Sequence, residues 1–406
     1  MKLKEIVTFV SKSVVPQRGA KYNLYSLPSF DENKSAEVWD GAEIQSNKYD
    51  VPNKCILFNK LNVRFKRVWR INNSDSNKIA STEFLPLVVN EDVVDYQYCY
   101  YLLISDEITN YLCGQNSNTS GSHKRIDPQN FLNIDIHLPK MPIQKAIGKT
   151  LSNIDRKIEL NKRINDNLEA MAKQLYDYWF VQFDFPNEDG KPYKSSGGAM
   201  VWNEKLKRKI PQGWSGVSLK DLALTSRNAI TPGENEVYQH FSIPSFDACG
   251  SYSLDNGSDI KSDKFVLQKG QLLVSKLNPW FNRVVWVPKG TNMIGSTEFV
   301  VLNPNNESES GYIYSVIKSP KFIAYCSQAA TGTSHSQRRV SPDVLMAFKV
   351  VYEQGVVQKY GCLIEKIQKR QAELLSEIAI LTKQRDELLP LLMNGQATVN
   401  YHLSDD

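Results

Sequence analysis

The sequence predicts an α+β protein in which two similar globular α/β domains are separated by two long helices packed as an antiparallel coiled coil. Three observations predict this fold. Apolar residues recur at alternating steps of four and three within 143–183 and 357–393. Short fragments of the first half recur in the second half, and 406 residues are too many for one hydrophobic core. We therefore expect a pseudo-two-fold internal repeat.

Each long helix is predicted from a narrow apolar seam. The seam positions of the first helix are Ile147, Leu151, Ile154, Ile158, Asn161, Asn165, Leu168, Ala172, Leu175 and Trp179. Those of the second are Tyr360, Ile364, Ile367, Gln371, Leu374, Ile378, Leu381, Arg385, Leu388 and Leu392. After Gly148 no glycine or proline interrupts the first run, and after Gly361 none interrupts the second before Pro390.

The repeat is carried by ordered matches at a nearly constant offset. Tyr25–Asp31 (Tyr-Ser-Leu-Pro-Ser-Phe-Asp) matches Phe241–Asp247 (Phe-Ser-Ile-Pro-Ser-Phe-Asp), an offset of 241 − 25 = 216 residues. Ser81–Phe84 (Ser-Thr-Glu-Phe) recurs as Ser296–Phe299, an offset of 215. The order domain–helix–domain–helix follows from these matches. The predicted segments are 1–140 (first domain), 141–185 (first helix), 186–214 (linker and lead-in), 215–350 (second domain) and 355–396 (second helix).

Within the first domain the pattern favours strands. We expect a short helix at Leu3–Ser11, an aromatic helix near Tyr96–Leu112 and a closing strand at Ile134–Leu138. Earlier strands are predicted at Cys55–Asn59, Arg67–Ile71 and Phe84–Val89. The net charge of +5 permits an acidic partner but does not require one. The six cysteines are dispersed, the N-terminus has no apolar signal segment, and no uninterrupted apolar run approaches the length of a membrane span. These features predict a cytoplasmic protein without a membrane span.

Three fragments imitate catalytic motifs, and each lacks a required part. Gly148-Lys149-Thr150 lacks the first glycine of a phosphate-binding loop, since position 143 is Ile. Asn278–Phe281 lacks the second proline of the amino-methyltransferase motif, and Pro342-Asp343 is not followed by a nuclease Glu-x-Lys strand. The sequence thus predicts no reaction centre, no cofactor and no metal.

Two recurring clusters have the residue types that bind nucleic acid. Cations contact phosphate, and Asn or Arg reads base edges. The first cluster comprises Lys60, Asn62, Arg64 and Arg67, with Lys276, Asn278, Trp280 and Arg283 in the second half. The second cluster comprises Ser122, His123, Lys124 and Arg125, with Ser334, His335, Gln337, Arg338 and Arg339 in the second half. For any single residue, a solvated loop or a structural hydrogen bond is the alternative; the Ser-Thr-Glu-Phe copies are more typical of a turn than of a contact.

The end of the first helix carries more aromatic side chains than one apolar seam can bury. The members of this aromatic run, Tyr176, Tyr178, Trp179, Phe180 and Phe183, are predicted to form an exposed surface for a protein partner.

With these features assembled, the sequence resembles the specificity subunit of a type I restriction–modification system over essentially its whole length. The most specific fragments are Asn167–Phe180, Ile210–Trp214 (Ile-Pro-Gln-Gly-Trp) and Leu388–Gly395. The first domain lacks the Pro-x-Gly-Trp lead-in found at 211–214, so we expect it either to be slightly pared or to start differently. The resemblance implies that 1–140 and 215–350 are target-recognition domains, each reading one half of an asymmetric, bipartite site in double-stranded DNA, while the helices set the spacer.

The resemblance also implies partners. Two methyltransferase subunits would grip the helices, restriction subunits would join them, and S-adenosylmethionine and ATP chemistry would belong to those partners. Two other functional hypotheses are compatible with the sequence: a fused DNA methyltransferase or nuclease, and a coiled-coil scaffold that does not bind DNA. Binding of S-adenosylmethionine by the isolated chain separates the first from a specificity subunit, and a steep salt dependence of DNA binding separates the second.

Overall fold

The computed structural model describes residues 1–115, 125–332 and 337–399 of the chain. The first-half strands are β1 Val7–Phe9, β2 Ser13–Val14, β3 Lys21–Tyr25, β4 Glu37–Asp40, β5 Lys48–Asp50, β6 Lys54–Asn59, β7 Val68–Asn72, β8 Lys78–Ala80 and β9 Phe84–Val89. The first-half helices are α1 Leu27–Glu32, α2 Tyr96–Ile104, α3 Asp106–Gln115, α4 Pro128–Leu132 and α5 Met141–Tyr176, which continues as a π-helical turn at Asp177–Val181.

The second half repeats this alternation. Its strands are β10 Met200–Asn203, β11 Arg208–Pro211, β12 Ser215–Ser218, β13 Ala223–Ser226, β14 Ala229–Ile230, β15 Val237–Phe241, β16 Ser253–Asn256, β17 Lys264–Val266, β18 Leu272–Ser275, β19 Val284–Trp286, β20 Met293–Gly295, β21 Phe299–Pro304 and β22 Lys349–Tyr352. Its helices are α6 Leu219–Leu222, α7 Ile243–Cys249, α8 Ser310–Lys318, α9 Pro320–Ala329, α10 Pro342–Met346 and α11 Gln354–Met393.

The chain forms two compact units. The first unit comprises Met1–Glu159 and the chain from Ala379 onward, and the second unit comprises Leu160–Ile378. The first unit contains an antiparallel sheet of order β1-β9-β6-β7 and a mixed sheet of order β2-β5-β8-β3-β4. The second unit contains sheets of order β13-β21-β18-β19 and β14-β17-β20-β15-β16. In each mixed sheet only one pair of neighbours is parallel, β3 with β8 and β15 with β20. The equal strand orders confirm the predicted α+β fold with its repeated domain.

The strand runs read as continuously apolar because both faces of the central strands are buried. Along β6, Ile56 and Phe58 pack in one cluster with the helices, while Cys55 and Leu57 pack in another against the mixed sheet. In β18 the side chains alternate in the same way, so Leu273 lies on the opposite face from its neighbours. Successive side chains of a strand point to opposite faces, so a strand between two packed layers has no polar side.

The predicted seam is confirmed, since every seam position is buried or half-buried. In the second unit the helices run antiparallel: Asn161 Nδ2 donates to Glu377 Oε2 at 2.9 Å, and Tyr360 Oη donates to the Ala172 carbonyl at 3.4 Å. In the first unit Arg385 Nη1 lies 3.1 Å from Asp155 Oδ1. Polar side chains within an apolar seam select one register of the two helices.

Three elements of the first domain differ from the sequence prediction. Leu3–Ser11 contains only a 3₁₀ turn at Leu3–Glu5 followed by β1, because Leu3 and Ile6 are fully buried and Val7 pairs with β9. Ser105 ends α2, so the aromatic helix is two helices. Ile134–Leu138 contributes one bridge, Lys2 with Asp135, instead of a strand.

The expectation that the aromatic run is exposed is wrong for most of its members. Trp179, Phe180 and Phe183 are 7%, 1% and 2% exposed, Tyr176 is half-buried, and only Tyr178 is exposed, at 38%. The Phe180 ring lies 4.6 Å from that of Tyr312 and 5.0 Å from that of Tyr360, centroid to centroid. The run therefore supplies the core of the second unit, and a partner contact stays a prediction for Tyr178 alone.

Replacing Phe180 with Ala is expected to lower the free energy of unfolding of the second unit by about 3–5 kcal/mol, because it removes a buried ring from a packed aromatic cluster. Urea unfolding followed by tryptophan fluorescence measures this change. Tyr178→Ala is the matched control, with an expected change within about 0.5 kcal/mol. Equal losses in the two variants would contradict the assigned burial.

Candidate nucleic-acid interface

In the first unit the structure brings the two predicted clusters together. Leu61 and Arg125 form an isolated β-bridge, and the Ile126 amide donates to the Lys60 carbonyl at 3.0 Å. The Lys60 amide in turn donates to the Glu83 carbonyl at 2.9 Å. Three segments distant in sequence, around Lys60, Glu83 and Arg125, therefore meet where β6 ends. We call this meeting point the junction of the first unit.

The second unit closes the same junction with the equivalent residues. Leu277 bridges Arg339, the Val340 amide donates to the Lys276 carbonyl at 3.0 Å, and the Lys276 amide donates to the Glu298 carbonyl at 3.0 Å. Asn278 adds two bonds to Arg338: its amide donates to the Arg338 carbonyl at 2.7 Å, and its Oδ1 accepts from the Arg338 amide at 3.0 Å. No pattern along the chain indicates that these clusters are adjacent in space.

A tight turn leads away from each junction. It is a 3₁₀ turn at Val63–Phe65 in the first unit and at Pro279–Phe281 in the second. A left-handed residue stands on each side of both turns: Asn62 (φ 52°), Lys66 (φ 47°), Asn278 (φ 48°) and Asn282 (φ 50°). Asn tolerates this conformation, but Lys does so at a cost of about 1–3 kcal/mol that the surroundings must offset. Such strain is concentrated at functional sites.

One predicted arginine in each unit is held behind the turn by a bidentate carboxylate. Arg67 Nε and Nη2 donate to the two carboxylate oxygens of Asp31 at 2.6 and 2.7 Å. Arg283 donates in the same way to Asp247 at 2.6 and 2.8 Å. The two arginine side chains are 18% and 10% exposed, so they brace the turn more than they face solvent.

The first repeated fragment explains where these carboxylates come from. Ser26 and Ser242 are N-caps of α1 and α7, and the Oγ of each accepts the amide three residues later, at 3.1 Å. This capping box fixes the start of a short helix, whose next turn carries Asp31 in one unit and Asp247 in the other.

Arg125 and Arg339, which we call the outer arginines, form ion pairs with the second repeated fragment. Ser-Thr-Glu-Phe forms a turn in both units, and Glu83 accepts from Arg125 Nη2 at 2.8 Å while Glu298 accepts from Arg339 Nε at 2.9 Å. The carboxylates raise the pKa of both guanidinium groups above the usual range, chiefly by hydrogen bonding. The Arg125 and Arg339 side chains are 55% and 43% exposed, so they stay accessible to an anion.

Other predicted cations lie at the same junctions without a carboxylate partner. Within the described ranges, Lys60, Arg64, Lys276 and Arg338 form no ion pair; Arg64 and the ring of Trp280 are exposed, as is Gln337. An exposed cation beside backbone amides suits phosphate, and an exposed planar amide such as that of Gln337 suits a base edge. The Asn278 side chain is buried, at 9% exposure, and its Oδ1 is taken by the Arg338 amide. The geometry of each junction can thus bind a duplex.

Several predicted residues lie outside the described part of the chain, namely Ser122, His123, Lys124, Ser334 and His335. Sequence reasoning missed the pairing residues Asp31, Glu83, Asp247 and Glu298. The available signal was their recurrence at the repeat offset alongside arginines that recur with them.

The fragments that imitate catalytic motifs have structural roles. Gly148 lies inside α5 where it crosses α2, and a Cβ there would stand 2.7 Å from Asp95 Oδ1, so the position needs glycine for packing. Asn278–Phe281 and Pro342-Asp343 form the turn described above and the start of α10. Among the described residues, no three metal-ligating side chains are grouped. None of the helices within those ranges has the length and apolar character to cross a membrane.

Comparisons with known proteins agree on one family. Residues 1–170 match the family model "Type I restriction modification DNA specificity domain". The MjaIX specificity subunit of Methanocaldococcus jannaschii is 22% identical over 340 residues, covering 80% of this chain and 74% of that protein. The HindI specificity subunit of Haemophilus influenzae is 30% identical over 147 residues, which are 34% of this chain and 32% of that protein.

A solved structure extends the comparison to nearly the whole fold. The S subunit of a type I restriction–modification system from M. genitalium has a TM-score of 0.60 at 14% identity, covering 97% of this chain and 95% of that chain. At that identity the similarity concerns the fold.

Double-mutant cycles are expected to separate the bracing arginines from the accessible ones. For Arg283 and Asp247, replaced by Met and Asn, we expect a coupling energy of about 1.5 kcal/mol, because the guanidinium is largely buried. For Arg339 and Glu298, replaced by Met and Gln, we expect about 0.2–1 kcal/mol, since both side chains are open to water. Urea unfolding of the four variants in each cycle gives both values, and a larger coupling for the outer pair would reverse the assignment.

Proposed function

Because the chain belongs to the specificity subunits of type I restriction–modification systems, we propose that the junction in each unit reads one half of its bipartite DNA target. The chain recognises DNA sequence and is itself non-catalytic. It acts with methyltransferase and restriction subunits, which carry the methylation and cleavage chemistry. A cytoplasmic location follows from this role, because the DNA and the partner enzymes are there.

The observation that carries the proposal is the duplication of one loop junction with different residues at its tip. The residues that close and brace the junction are the same in both units: Lys60 and Lys276, Asn62 and Asn278, Arg67 and Arg283, Arg125 and Arg339. The tip differs, with Arg64 replaced by Trp280 and Lys66 by Asn282. A shared frame with different reading residues suits a target whose two halves have different sequences.

The long helices serve the other two parts of the proposed role. Since α5 and α11 contribute residues to both units, we assign to them the unspecified spacer between the half-sites. They also carry exposed apolar side chains that a soluble helix pair does not need. Leu160, Met171 and Leu363 in the second unit are 55%, 48% and 39% exposed, and Ile380 in the first unit is 55% exposed. Such side chains suit a docked methyltransferase subunit.

Methylome sequencing of a host that carries the chain with its methyltransferase is expected to give two specified blocks separated by unspecified bases. Arg125→Ala should then weaken binding of the complex to this target about tenfold, because the unpaired Glu83 carboxylate would face the phosphates. This loss of affinity relative to the wild-type complex should vanish on a duplex in which the half-site read by the first unit is scrambled. It should persist when the other half-site is scrambled. Arg339→Ala should show the opposite pattern.

Lys191→Ala is the control for these variants, because it removes an equal charge from an exposed loop of the second unit. Binding is measured at several salt concentrations, since each lost phosphate contact lowers the slope of log K against log salt by about 0.9. A single continuous methylated motif would contradict the proposal that each unit reads one half-site. Equal losses of affinity on both scrambled duplexes would also contradict it.

Ile380→Asp is expected to reduce co-purification of the methyltransferase at least tenfold while leaving the melting temperature of the isolated chain unchanged, because the side chain is 55% exposed. Gln384→Asp introduces the same charge one helical turn away and serves as the control. Full retention of the methyltransferase by the Ile380 variant would remove this surface from the proposal.

A further inference from the structure

A phenylalanine is exposed at the same position of both turns. Phe65 ends the turn of the first unit and is 53% exposed, and Phe281 ends that of the second and is 57% exposed. Single exposed apolar side chains are ordinary on protein surfaces. Here the same ring is presented twice, at an offset of 281 − 65 = 216 residues, on turns that hold left-handed residues on both sides. The position is therefore built to present a ring.

Each ring is backed by a fixed guanidinium. Arg64 Cζ and Arg67 Cζ each lie 4.8 Å from the centroid of Phe65, and Arg283 Cζ lies 4.5 Å from that of Phe281. Arg67 and Arg283 are themselves held by Asp31 and Asp247, so the cation–π contact is attached to the folded core. Lys66 Nζ adds a salt bridge to Asp106 Oδ1 at 2.5 Å, which connects the first turn to the start of α3. Because these contacts already hold the ring, it would lose little conformational freedom on binding a ligand.

The chemistry of the ring narrows the DNA group it meets. Phenylalanine has no donor for phosphate oxygens, so its exposed surface suits an apolar contact. The guanidinium covers part of each ring, and the rest of the ring stays exposed. The remaining apolar surface fits an apolar group on a base edge, and in the major groove that group is the 5-methyl of thymine. The neighbouring cations supply phosphate contacts around it.

We propose that Phe65 and Phe281 each contact the 5-methyl group of one thymine, Phe65 in one half-site and Phe281 in the other. The proposal rests on the DNA-reading role of the two junctions. It makes each phenylalanine a specificity-determining residue that distinguishes an A·T pair by its methyl group.

The test uses the complete complex of the chain with its methyltransferase subunits and a duplex of the target found by methylome sequencing. Each thymine of both half-sites is replaced in turn by deoxyuridine, which removes only the methyl group. For the wild-type complex we expect one position in each half-site where the replacement weakens binding about fourfold, the effect of one buried methyl-sized group. Phe65→Ala should abolish the effect in one half-site only, and Phe281→Ala in the other only.

Matched controls are available on the outer strands of the mixed sheets. Val38→Ala and Leu254→Ala shorten exposed apolar side chains at equivalent positions of the two units, 66% and 70% exposed, and should leave every deoxyuridine effect unchanged. If an alanine variant fails to assemble, Phe65→Leu or Phe281→Leu, which keep an apolar side chain, should retain a reduced effect at the same position.

The outcomes separate the two proposals. If the wild-type complex does not distinguish its target from a scrambled duplex, the DNA-reading role of the junctions is wrong. If it does distinguish them, three results overturn the phenylalanine contact alone: no thymine position sensitive to deoxyuridine, sensitivity that survives Phe→Ala, or a half-site without an A·T pair.

Discussion

The guanidinium–carboxylate pairs hold the proposed interface together. In each unit the interface is made of segments far apart in sequence, and the arginines join them: Arg125 to Glu83 and Arg339 to Glu298 at the outer edge, Arg67 to Asp31 and Arg283 to Asp247 behind the turn. The two pairs that are open to water, Arg125 with Glu83 and Arg339 with Glu298, add little stability, about 0–1 kcal/mol each. Their effect is geometric, because a bidentate pair fixes the plane of a long, flexible side chain.

The sheets and the aromatic core supply the rigid base on which these pairs act. Central strands buried on both faces, β6 and β18, end directly at the junction, so the main chain that carries Lys60 or Lys276 is anchored in the core. In the second unit the Phe180 ring lies 4.6 Å from that of Tyr312 and 5.0 Å from that of Tyr360, centroid to centroid. The Tyr176 ring lies 6.4 Å from each of the same two rings, so the end of α5 is connected with α8 and with the start of α11. The proposed DNA-reading loops therefore have a stable support, while the residues at their tips differ between the two units.

The sequence predicts what depends on local periodicity and on duplication. The seams of α5 and α11, the central strands and the repeated domain order all follow from spacing and matches along the chain. What depends on distant contacts was not predictable. Phe180 looks surplus on its own helix because Tyr312 and Trp214, which bury it, are far away in sequence. The same holds for Leu3–Ser11, where pairing with β9 overrides the helical pattern, and for the arginines, whose carboxylates lie 36–42 residues away.

The central claim is that one junction in each unit is the DNA-reading surface. A structure of the chain bound to its methyltransferase subunits and a target duplex tests it most directly. We expect residues 62–66 to lie against the base edges of one half-site and residues 278–282 against those of the other, with Arg125 and Arg339 at the flanking phosphates. A complex in which both turns face solvent or a partner subunit, while other loops contact the bases, would contradict it.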